Sequence, residues 1–230
     1  MKRIGFIGVY DKTDMILYLA KILTIMGKKV ILVDSTINQK AKYIVPTIDP
    51  TISYITSFED IDVAVGFKNF EEIRKYVGAE KDLPYDIALI DADVPERIQE
   101  FALETADKNY FVTSFDIYSL KKGVELLNNL KDKINLTKVY FTKEVLKEED
   151  DYLNFLSSEA NVEWDEERIY YPLENGDFSV ITENQRVEKI KFRKLSAQYK
   201  DCLDIMAQEV LGDKNDSNVR KAIKIIEKGA

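Results

Sequence analysis

The chain contains no histidine at all. Ser-His-Asp and Cys-His catalysis and every histidine metal site are therefore excluded from the outset. Its one cysteine, Cys202, can form neither an internal disulfide nor a thiolate zinc cage, which fits a reducing compartment. Charged residues interrupt every apolar stretch before it reaches the length of a membrane span. Met1-Lys2-Arg3 leads into only a short apolar stretch before Asp11, so no signal peptide is expected. Basic residues are in deficit, 33 against 41 acidic ones for a net charge of −8, which argues against a global grip on nucleic acid. Internal repeats, low-complexity tracts and Gly/Ser linkers are likewise missing.

What remains is a globular composition, 45% hydrophobic and 11% aromatic over 230 residues, enough for one sizeable core. Short apolar runs alternate with amphipathic stretches, the pattern of a mostly parallel sheet covered by helices on both faces. Strands are expected at Ile4–Val9, Lys29–Val33, Ile87–Ile90, Tyr110–Thr113 and Val139–Thr142. Ile16, Leu19, Ala20 and Leu23 stand at helical spacing after the first strand, and Gly27 closes that helix. Leu120, Val124, Leu127 and Leu130 mark a second helix; Leu195, Tyr199, Cys202, Leu203, Met206 and Val210 mark a long one near the end. Residues 44–67, with Pro46 and Pro50, read as an irregular insert with one strand. The expected organisation is one domain over residues 1–211, then a turn and a short basic amphipathic helix over 212–230.

Open α/β sheets bind ligands at the C-terminal ends of their strands, so the first strand-to-helix turn is where a site belongs. It reads Gly8-Val9-Tyr10-Asp11-Lys12-Thr13-Asp14, with Lys12-Thr13 placed as the Lys-Ser/Thr pair of a phosphate-binding loop. The alternative reading is a plain helix start, Thr13 capping and Asp14 favouring the dipole. Asp34 and Asp91 each follow a strand and are candidate metal-binding carboxylates, or else turn formers. The two would be close in space if both of their strands flank the first one.

The order of strand, loop, helix, GKKVILVDST and YDIALIDAD resembles the MinD/ParA-type deviant-Walker ATPases, including MinD-like proteins of pilus assembly and conjugation. ADKNYFVTSFDIYSL, NLTKVYFTK and the distal IYYPLENGDF and LSAQYKDCLDIMAQEVL segments extend the resemblance across most of residues 1–211. It implies a P-loop NTPase-like three-layer sandwich, ATP with Mg²⁺ as cofactor, ATP-dependent dimerisation and slow hydrolysis. Against the family's loop, Lys-Gly-Gly-Val-Gly-Lys-Thr-Thr, this chain places Ile7 at the signature lysine and Asp11 at the glycine before Lys12. Thr36 stands at the position of the water-orienting carboxylate, while Gly8, Lys12, Thr13, Asp34 and Asp91 survive.

Asp11 is the largest change. A carboxylate about 5 Å from a phosphate oxygen repels it by roughly 3 kcal/mol at an effective dielectric near 20, on the order of a hundredfold in affinity. The expectation is thus a pseudo-ATPase with weakened ATP and Mg²⁺ binding at Gly8, Asp11, Lys12 and Thr13, and no catalytic residue. It would serve as a regulatory or scaffold partner of other proteins in a bacterial assembly, secretion, conjugation or positioning system. The rival expectation is a nucleotide-dependent switch with a rearranged loop. Localisation is expected to be cytoplasmic. Arg220, Lys221, Ile223, Lys224 and Ile226 form a basic amphipathic tail that would touch a membrane surface or a partner; the alternative is packing on the domain.

Overall fold

A computed structural model describes residues 1–46, 52–144, 147–172, 175–212 and 216–229. The first half runs β1 (Lys2–Ile7), α1 (Thr13–Ile25), β2 (Val30–Asp34), α2 (Ala41–Ile44), β3 (Tyr54–Phe58), β4 (Ile61–Val65), α3 (Phe70–Val77), β5 (Ile87–Ala92) and α4 (Pro95–Glu100). A 3₁₀ turn at Leu103–Thr105 leads into β6 (Lys108–Ser114), α5 (Ile117–Asn128), β7 (Ile134–Thr142), α6 (Lys147–Leu156), β8 (Val162–Pro172), α7 (Asn175–Arg186), α8 (Ala197–Leu211) and α9 (Asp216–Glu227).

Among the described residues the strands form one eight-stranded sheet in the order β3-β4-β2-β5-β1-β6-β7-β8, with only the β3–β4 pair antiparallel. The central strands read as unbroken apolar runs because both of their faces are covered. Leu32, Leu89, Tyr110 and Val112 point into a core shared with α1 and α8, whereas Val33, Ile90 and Phe111 point into the opposite core with α4 and α5. This is the α/β sandwich expected from the sequence.

Three sequence expectations need correction or relocation. The sequence predicts an irregular insert with one strand over residues 44–67, yet its described residues carry a hairpin, β3 and β4, at the sheet edge. Its two-residue turn is Glu59-Asp60, both at positive φ (53° and 67°), a conformation usually signalled by Asn-Gly or Asp-Gly. Lys21 compensates by donating to the Glu59 carbonyl at 3.0 Å and pairing with its carboxylate at 3.0 Å. Part of that insert, residues 47–51, lies outside the described residues, as do residues 213–215 of the turn expected after Gly212. Secondly, β2 does not flank β1; β5 lies between them.

The third concerns the tail. Val219, Ala222, Ile223 and Ile226 on α9 are buried in the core that holds α1 and α8. The apolar stripe is therefore an internal packing face, the alternative reading of the tail. Lys221 and Lys224 face outward, and Arg220 pairs with Asp204 of α8 at 3.1 Å.

Candidate functional site

β1 ends against Ala92 of β5, whose carbonyl accepts the Gly8 amide at 3.1 Å. Gly8 has φ +133°, and a Cβ there would fall 2.3 Å from the Val112 carbonyl oxygen, so glycine is required for the chain to turn past β6. The turn then delivers Asp11, Lys12 and Thr13 to the start of α1. Thr13 is buried and does not cap that helix; its amide instead donates to Asp11 Oδ1 at 3.3 Å. Lys12 stands at the N-cap and makes no side-chain cap hydrogen bond, so neither Thr13 nor its neighbour caps α1 in that way.

Lys12 is only 3% exposed. Its ammonium donates to the Gly8 carbonyl at 2.6 Å and pairs with Asp91 Oδ1 at 2.7 Å. Both ends of this ion pair are closed to solvent. Burial pushes the Asp91 carboxyl up to about 7, against the pull of Lys12 and with a further push from Asp34.

Asp34 and Asp91 are register partners on β2 and β5, so the two candidate metal carboxylates are neighbours. Asp34 is fully buried and committed: Oδ1 accepts from the Thr36 amide (3.1 Å) and hydroxyl (2.6 Å), and Oδ2 from the Ala41 amide (2.9 Å). That set of bonds shapes the β2–α2 turn. Among the described residues no cluster of three or more His, Cys, Asp or Glu side chains is arranged to hold a metal. Asp93 accepts the Ile37 amide, and burial raises its pKa as well. Ile7, at the position of the resembled family's signature lysine, is a fully buried core residue.

Sequence reasoning missed Lys40. It ion-pairs with Asp11, whose side chain is 52% exposed, and with Asp14 at 3.0 Å. Burial pulls the Lys40 pKa down, but Asp14 and Asp11 together more than offset this and leave it raised. Asp14 is also held by the Gln185 amide of α7 at 2.9 and 2.8 Å. Tyr10 stacks on Phe141 at 5.0 Å between ring centres, which pins the middle of the loop to the end of β7.

Two cavities open beside the loop. One of about 410 Å³ is polar and lined by the loop, Thr36, Asn38, Asp91 and Asp93. The other, about 360 Å³, is walled by Met15, Phe141, Pro172, Phe178 and Ile181. Tyr10, Asp11 and Lys40 belong to both. Three features of this arrangement bear on an incoming phosphate. Lys12 faces inward, the Asp11 carboxylate stands at the mouth, and Asp34 accepts three hydrogen bonds from its own turn.

The chain matches no protein-family model and no curated protein by sequence. Its structure is similar to MinD of Aquifex aeolicus in the MinC:MinD cell division complex, with a TM-score of 0.63 at 16% identity over 93% of this chain and 97% of that one. MinD of Pyrococcus horikoshii, solved with Mg-ADP, gives 0.56 at 17% identity over 95% and 98%. A single-residue variant of Cyanothece McdA, solved with ATP, gives 0.59 at 12% identity over 93% and 97%. The Lys12–Asp91 site thus sits at the end of β1 on a scaffold that carries the fold of the MinD/ParA ATPases.

Proposed function

We propose that this chain is a non-hydrolysing MinD/ParA-like protein, acting as a regulatory or scaffold partner in a bacterial assembly, secretion, conjugation or positioning system. The observation that supports this is the inward ion pair of Lys12 with Asp91, reinforced by the Gly8 carbonyl. A lysine held this way is withheld from phosphate, and releasing it leaves a buried carboxylate without its counter-charge. Thr36, at the water-orienting position of the resembled family, is a neutral hydroxyl that donates a hydrogen bond to Asp34, a poor substitute for a carboxylate base.

The similarity to MinD in its complex with MinC favours a protein partner, while Ile7 in place of the signature lysine argues against the family's nucleotide-sandwich homodimer. Duplex DNA is disfavoured by the −8 charge. We place the protein in the cytoplasm, and any contact with an anionic membrane would fall to the outward basic side chains Lys221 and Lys224 rather than to the buried Ile223 and Ile226.

A second reading, a nucleotide-dependent switch, is favoured by one observation: the polar cavity beside Gly8, Lys12 and Thr13. Calorimetry with Mg-ATP and Mg-ADP separates the two. The scaffold reading expects no saturable heat at micromolar nucleotide and no phosphate release above background. A micromolar dissociation constant that disappears in Lys12→Ala would establish the switch instead.

A further inference from the structure

A strongly basic stretch closes α7 and runs on towards α8. Residues 186–194 read Arg-Val-Glu-Lys-Ile-Lys-Phe-Arg-Lys, five basic side chains and one acid in a chain of net charge −8. Arg186, Lys189, Lys191, Arg193 and Lys194 are all exposed. Ile190, Phe192 and Leu195, between and beside them, are buried in the core that holds α1 and α8. From Lys189 to Arg193 burial alternates residue by residue, so Lys189, Lys191 and Arg193 leave the same side of the chain. Successive cations then stand about 7 Å apart.

The stretch is anchored to the domain. Phe192 packs edge-on against Tyr18 of α1 at 5.1 Å between ring centres, and Asn184 donates its side-chain amide to the Lys191 carbonyl at 2.8 Å. The Lys189 amide in turn donates to the Asn184 carbonyl at 3.1 Å. Neutralisation within the chain is partial. Lys189 pairs with Glu59 at 3.4 Å and Lys194 with Glu183 at 3.2 Å, whereas Arg186, Lys191 and Arg193 make no ion pair among the described residues.

We infer that residues 186–194 are a docking strip for an acidic, extended segment of a protein partner, one with Asp or Glu at alternate positions. Such a segment repeats its carboxylates at the spacing of Lys189, Lys191 and Arg193. Two other anionic surfaces fit less well. Duplex DNA is a long uniform polyanion that would meet the −8 molecule around the strip and Glu183 and Glu188 beside the cations; a short segment feels only charges within about 10 Å. An anionic bilayer binds through apolar anchors beside the cations, and here Ile190, Phe192 and Leu195 point inward. The inference rests on the scaffold reading and names the chemistry of the partner.

The probe is a fluorescein-labelled peptide of alternating Glu and Thr, five of each, titrated with the full chain and read by anisotropy at low ionic strength without nucleotide. Wild type is expected to bind it saturably, and the binding should fade as salt approaches about 1 M, where screening falls to about 3 Å. Lys191→Glu combined with Arg193→Glu should weaken binding at least about tenfold. Lys191→Gln combined with Arg193→Gln should weaken it by less, and carries the comparison should the thermal melt of the charge-reversed pair fall. Lys121→Glu combined with Lys131→Glu is the control: it changes the net charge equally, at exposed sites on α5 and the turn after it, and should stay within about twofold.

Three results would overturn the inference. The first is no saturable binding to wild type. The second is equal weakening by the control pair, which would make the effect one of net charge. The third is tighter binding of duplex DNA or phosphatidylserine vesicles than of the peptide, which would make the strip a polyanion grip. The scaffold reading fails on micromolar Mg-ATP binding and this inference on the peptide titration, so the two failures are told apart.

Discussion

Both lysines around the first turn are held by carboxylates of their own chain, and the two pairs differ in how far water reaches them. Lys12–Asp91 is closed to solvent, so its energetics follow burial. The Asp91 carboxyl is raised to about 7, well above its unfolded value, so the folded chain holds this proton more tightly than the unfolded one. Its contribution to stability is full below about pH 4 and is lost as pH rises towards 7. Relative to Asp91→Asn, wild type should therefore lose stability as pH rises from 5 to 7. Urea denaturation of both proteins across that range measures the slope; a flat difference would remove Asp91 as the titrating group. Gly8 gives a second prediction. Its +133° φ and the 2.3 Å clash with the Val112 carbonyl mean that Gly8→Ala should destabilise by more than about 2 kcal/mol, read by thermal unfolding. At this scale the motif residues Gly8, Lys12, Asp34 and Asp91 were legible because they lie at the ends of apolar runs. Lys40 was not: its partners stand 29 and 26 residues away, and only the fold joins them.

Among the elements, α9 decides between two readings of one amphipathic pattern. A stripe at helical spacing does not say whether a membrane or the chain's own core covers it. Here Val219, Ala222, Ile223 and Ile226 meet α1 and α8. Ile223→Ala should then cost about 2–4 kcal/mol, whereas Lys224→Ala on the outward face should stay within about 0.5 kcal/mol. Chemical denaturation of the two variants compares them, and equal small effects would mean that the stripe is not core. The central strands were readable for the reason that makes them stable, burial on both faces. The β3–β4 hairpin was not, since a Glu-Asp turn at positive φ depends on Lys21 of α1, a contact that sequence-local reasoning does not reach. Helices such as α6, with Asp150 buried under Lys138 and Tyr140, were equally hidden because their inward residues are in part polar.

For the molecule as a whole, a sheet with two covered faces brings the ends of β1, β2 and β5 to one edge, and there the charges are mostly negative. Asp11, Asp14, Asp34, Asp91 and Asp93 gather against Lys12 and Lys40. A scaffold shared with nucleotide-bound MinD and McdA thus carries a loop whose cations are already neutralised. The scale of the effect is that of the local charges and not of the net charge, since screening confines each to about 10 Å at ordinary salt. The non-hydrolysing reading rests on Lys12 and Lys40 being held by carboxylates of their own chain. Its most direct test is a titration of isotopically labelled protein with Mg-ATP, followed at the backbone amide resonances of residues 9–13. These resonances are expected to hold their positions throughout the micromolar range; saturable shifts there, absent in Lys12→Ala, would overturn the reading of Lys12 as withheld from phosphate.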